Sequence, residues 1–154
     1  MHRAGENAEV VRRALVLLPL VLALAACGGG GGLTKAQYDA KVSGLCLLAA
    51  DQLRELHRDN SAGAWRHYGP TVVHIEKHFD KSLAALKAPG DIAADARAFL
   101  TANEKLAADD MAAVAAANAG DGAKLRAAVI RSNKDGAATF PAAKAIGATG
   151  CYIS

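Results

Sequence analysis

Two kinds of side chain in this 154-residue chain could do chemistry, its three cysteines and five histidines. His57, His67, His74 and His78 fall in one short stretch. His74 and His78 stand four residues apart, a spacing that sets two imidazoles on one helical face where they can share a metal ion. On a continuous helix His67 falls within about 40° of both. It lies about 16 Å from His78 along the axis, however, and two imidazoles bound to one zinc at about 2.1 Å cannot bridge that distance. Asp51, on the preceding helix of an antiparallel hairpin, could approach His74. Together His74, His78 and Asp51 would offer two nitrogens and a carboxylate with an open position, a site for zinc or copper, and the same histidines could serve haem. The pattern also suits histidines at a core margin, with one nitrogen toward water. No His-Glu-x-x-His and no Gly-rich phosphate loop occurs, and neither Ser43 nor Ser82 has an evident triad. The sequence therefore predicts no enzymatic activity and no obligatory cofactor.

Cys27 has a different setting. Arg12 and Arg13 precede an uncharged run, Ala14 to Ala26, of 13 residues. Spanning hydrocarbon as a helix takes roughly 20, and Pro19 interrupts the run, so it reads as the h-region of an export signal. Its end, Leu24-Ala25-Ala26-Cys27, resembles the lipobox of bacterial lipoproteins. That resemblance implies cleavage between Ala26 and Cys27 and a diacylglyceryl group on the Cys27 thiol, the nucleophile of the stretch. Two acyl chains hold a protein firmly at a membrane, whereas one does so reversibly. Gly28 to Gly32 would then form a tether with about 12 Å of r.m.s. reach. The expected location is the extracytoplasmic face of a bacterial cell membrane or outer membrane. Gly28 after the cysteine, rather than Asp, is compatible with outer-membrane sorting.

Removing residues 1–26 also removes Arg3, Arg12, Arg13, Glu6 and Glu9, which leaves a net charge of +2. Lys and Arg nowhere form a cluster, so no nucleic-acid partner is expected. With Cys27 acylated, Cys46 and Cys151 remain. In an oxidising compartment a disulfide is the default, with two buried thiols or one metal site as alternatives. The bond would close a loop of about 105 residues, worth on the order of 4–5 kcal/mol in the loop-entropy model.

The elements that must position these groups are helical, for no stretch alternates with period two. Thr34 and Gln37 form a capping box flanked by Leu33 and Tyr38 as a staple. Tyr38, Val42, Leu45, Ala49, Leu53 and Leu56 give the first helix its apolar face. A second helix is predicted over about 64–87 with Val72, Ile75, Phe79, Ser82, Leu83 and Leu86 on one face, Pro70 being either its first residue or a kink. Asp91 is the expected N-cap of a third, on which Ile92, Ala96, Phe99, Asn103, Leu106, Met111 and Val114 share a face. Asp121 caps the last helix, whose apolar residues are Leu125, Val129, Phe140 and Ile146, with Pro141 as a kink and Gly147 as the stop. About four helices with short connections predict an all-α, up-down bundle over 33–154, stapled by Cys46–Cys151. Residues 1–26 are its signal peptide and 27–32 its lipidated tether.

Several of these features occur together elsewhere. Tyr38 and Cys46 in the first helix, Ala88-Pro89-Gly90-Asp91 before the third, Gly120-Asp121 before the fourth and Ala145-Ile146-Gly147 ahead of Cys151 resemble small actinobacterial lipoproteins and secreted proteins of uncharacterised function. Pro89-Gly90 replaces the doubled proline usual in that turn. The resemblance implies a helical fold and a cysteine pair and brings no activity. The expected role is a membrane-anchored binding or interaction module for an envelope protein or small molecule, with a metal or haem carrier as the alternative.

Overall fold

The computed structural model describes residues 32–56 and 59–152. The expected signal peptide and its cleavage site at Ala26 and Cys27, and His57, lie outside the described residues. The described residues from Gly32 onward form one compact unit. Among the described residues there are five α-helices and no strand: α1 Lys35–Arg54, α2 Ala62–His67, α3 Gly69–Ala84, α4 Ala93–Asn118 and α5 Gly122–Ile146. Two 3-10 turns, Gly90–Ile92 and Thr149–Cys151, complete them. None of the described helices is long and apolar enough to cross a membrane.

Local chemistry explains most of the boundaries. The Thr34 hydroxyl accepts from Gln37 N at 3.2 Å while the Gln37 side chain accepts from Thr34 N at 2.9 Å, so the capping box is complete. Asp121 accepts from Lys124 N at 3.0 Å and starts α5. Gly147 ends it with φ at +82°, a left-handed cap that suits glycine. Lys35 Nζ donates to the Ile146 carbonyl at 3.1 Å and joins the start of α1 to the end of α5.

Two expectations change. The second helix is broken into α2 and α3 at Tyr68, with Pro70 in the first turn of α3, where its missing N–H costs nothing. Asp91 does not cap α4. It sits within a 3-10 turn, Ile92 takes the N-cap position, and no side chain caps that end.

The helices α4 and α5 pack together most extensively, α3 lies on α4, and α1 lies on α3. The core falls into two clusters. One gathers Tyr38, Val42, Phe79, Leu83, Phe99 and Ile146. The other packs Trp65 against Ala113, Ala116, Ala117, Leu125, Ala128 and Val129. Small alanines let helix backbones approach closely in the second cluster. Cys46 and Cys151 are joined, with Cα atoms 5.0 Å apart. The tail thus folds back on α1, where Gly150 N donates to Ser43 Oγ at 3.3 Å.

Candidate functional site

The predicted histidine site does not assemble. His74 and His78 are both exposed on α3, and Asp51 is exposed on α1 with its carboxylate 2.9 Å from Arg54. His67 is exposed too, its ring edge-on to Tyr68. Among the described residues no group of three or more His, Cys, Asp or Glu side chains is placed to hold a metal ion. Asp51, His74 and His78 therefore do not form such a group. Helical pitch puts the two histidines on the outer flank of the apolar stripe of Val72, Ile75, Phe79 and Leu83, which turns inward.

A cavity of about 480 Å³ lies elsewhere, and each of the five described α-helices contributes to it. Leu53 comes from α1, Ala64 and Trp65 from α2, Gly69, Val72 and Glu76 from α3, and Leu106 and Asp110 from α4. From α5 come Val129, Ser132, Asn133, Gly136, Ala137 and Phe140, while Tyr68, Asp59 and Asn60 close the remaining side. Its volume is in the range of small-molecule sites, as is its mixture of aromatic walls and a few polar groups.

The break between α2 and α3 builds the aromatic wall. Ser61 caps α2 through Ala64 N at 3.1 Å. Arg66 donates to the Ala117 carbonyl at 3.1 Å, which ties α2 to the last turn of α4. Gly69 packs against α4, where an added Cβ would lie 2.5 Å from Val114 Cγ2 and 3.2 Å from the Trp65 ring. Trp65 is thereby held 8% exposed.

Two polar groups in this lining are buried without a hydrogen-bond partner, Asp110 Oδ1 and Trp65 Nε1. Asp110 is 3% exposed. A buried polar group ordinarily finds a partner, and a buried charge without one costs several kcal/mol. The two are complementary in kind, since a carboxylate accepts and an indole N–H donates. Neighbouring acids behave differently. Lys105 Nζ lies 3.0 Å from Asp135, and its ammonium holds that carboxyl below the usual range. Arg131 lies 2.8 Å from Asp109.

A second cavity of about 160 Å³ shares Leu53, Glu76 and Leu106 with the first and extends to Phe79, Asp80, Asn103, Thr139 and the Cys46–Cys151 disulfide. Burial, then the charge of Glu104, raises Asp80 from 3.8 to about 6. Its Oδ1 also has no hydrogen-bond partner.

Sequence reasoning missed this site by one residue. It placed Met111 on the inner face of α4, yet Met111 is 39% exposed and Asp110 is buried. The register Phe99, Asn103, Leu106, Asp110, Ala113, Ala117 steps by four and three throughout, and that was the available signal. Phe140, expected in the core, is 50% exposed at the cavity instead.

No match was found. No family model fits the chain, and comparisons with curated proteins and with solved structures return none either.

Proposed function

We propose that this protein is a lipid-anchored, extracytoplasmic binding module that holds a small organic ligand in the 480 Å³ cavity. The observation that carries the reading is the pair of buried groups without partners, Asp110 Oδ1 and Trp65 Nε1, in the lining of a cavity of ligand size. A ligand with a donor for one and an acceptor for the other would satisfy both. The chemistry offered is recognition, not turnover. The walls hold carboxylates and aromatic rings, with no cysteine thiol and no histidine among the described lining residues. In topology the module is an up-down bundle in which α2 and α3 stand for one broken helix.

The anchor rests on Leu24-Ala25-Ala26-Cys27 and the apolar run before it, in keeping with the resemblance to small actinobacterial lipoproteins. Cys27→Ser should abolish acylation and processing. In detergent-phase partitioning the wild type should enter the detergent phase and the variant should not. A variant that still matures and partitions with detergent contradicts the anchor. For the cavity, Trp65 is the only tryptophan, so its emission reports occupancy directly. A fragment set of mixed charge titrated into the mature protein should include members that change that emission saturably. If no fragment of any charge does so, the cavity is not a ligand site.

A further inference from the structure

Resting on the cavity as a ligand site, we infer that its ligand is an organic cation, an ammonium group carried on an apolar body. The described lining of the larger cavity holds three carboxylates, Asp59, Glu76 and Asp110, and no Lys, Arg or His. The adjoining cavity adds Asp80 and again no basic side chain among its described lining. Three described basic side chains near these walls are engaged elsewhere, Arg66 with the Ala117 carbonyl, Lys105 with Asp135 and Arg131 with Asp109. Asp110 carries the argument, because it is 97% buried and its Oδ1 has no hydrogen-bond partner. An anionic ligand would add repulsion to that carboxylate, and a neutral one would leave its charge unbalanced. A cation supplies the missing charge and a donor together.

The rest of the lining says what kind of cation. A metal ion needs several ligating groups converging on one point, and among the described residues no such group of three exists. Trp65, Tyr68 and Phe140 instead line the cavity with aromatic rings, which attract ammonium groups and pack against apolar bodies. The volume exceeds what a bare ammonium ion would fill.

The test uses three compounds of nearly one shape: phenethylammonium, 2-phenylethanol and 3-phenylpropanoate. Each is titrated into the mature protein while Trp65 emission is followed. Phenethylammonium should bind at least about tenfold more tightly than the alcohol, the size of one charge-assisted hydrogen bond, and the carboxylate should bind weakest. Asp110→Asn should erase the preference for the cation over the alcohol, and Asp95→Asn, on the exposed side of α4, should keep it. Glu76→Gln, which alters the carboxylate shared by both cavities, should reduce the preference and carries the test if Asp110→Asn does not fold. Equal or tighter binding of the alcohol or the carboxylate overturns the cation assignment and leaves the binding site standing. Silence of all three compounds, together with a fragment set that also leaves Trp65 unchanged, overturns both.

Discussion

Asp80 shows how a single residue can set pH dependence. Its carboxyl is half-buried beside Glu104 and titrates near 6 rather than 3.8. Below about pH 4 both folded and unfolded chains hold this proton, and it contributes nothing. Between about 4 and 6 the folded chain holds it while the unfolded chain releases it, so stability falls as pH rises. Above about 6 the cost is fully present. After discounting for solvent screening it amounts to about 1 kcal/mol. Asp80→Asn should raise stability at pH 7 by about that amount and change it little at pH 4. Chemical denaturation at the two pH values measures this, and an equal effect at both would contradict it. Acids with strong partners, such as Asp135 beside Lys105, slope the other way, so the difference between variant and wild type is the informative quantity. Residues with local partners were legible in the sequence. Thr34 with Gln37, Asp121 with Lys124 and the left-handed Gly147 all act within a few positions of themselves. Asp80 and Asp110 were not, because a charged side chain becomes buried only through what distant helices place over it.

At the scale of elements, the break at Tyr68–Gly69 decides whether there is an aromatic wall. Pro70 marked this place in the sequence but left two readings open, a helix start or a kink. What resolves it is the close approach of Gly69 to Val114 on α4, a contact between residues 45 positions apart that periodicity does not reveal. A β-branched neighbour 2.5 Å from the added carbon cannot simply rotate away. Gly69→Ala should therefore push α3 from α4 and destabilise by about 1–3 kcal/mol, with a shift in Trp65 emission in the folded state. Gly90→Ala is the control, since its added carbon meets nothing within 4 Å. If Gly69→Ala were as harmless as Gly90→Ala, the packing of α2 and α3 on α4 described above would be wrong. The helices themselves were readable from their stripes, and α3 matches its predicted stripe at Val72, Ile75, Phe79 and Leu83. The outward positions of His74 and His78 follow from the same stripe, which the i,i+4 spacing alone could not convey.

Over the whole molecule, two features tie the ends together. Lys35 reaches the Ile146 carbonyl, and the disulfide joins positions separated by 105 residues. Replacing both Cys46 and Cys151 by Ser should cost about 4 kcal/mol in the loop-entropy model. The melting temperature should then fall by well over 5 °C, since about 1 kcal/mol moves a domain of this size by roughly 3–6 °C. A melting temperature unchanged by the double substitution would remove the disulfide from the account of stability. The cysteine pair could be read from composition once export was inferred, whereas a cavity shared by five helices is a property of their assembly and has no local signature. The proposed function rests on that cavity, and the indole N–H of Trp65, the only tryptophan, reports on it alone. The most direct measurement is the ¹H–¹⁵N correlation spectrum of the mature protein during a phenethylammonium titration. The single indole resonance should shift saturably, together with the amides of Gly69, Ser132 and Gly136, and Asp110→Asn should suppress the shift. An indole resonance that stays fixed while only exposed amides move would contradict a ligand site in this cavity.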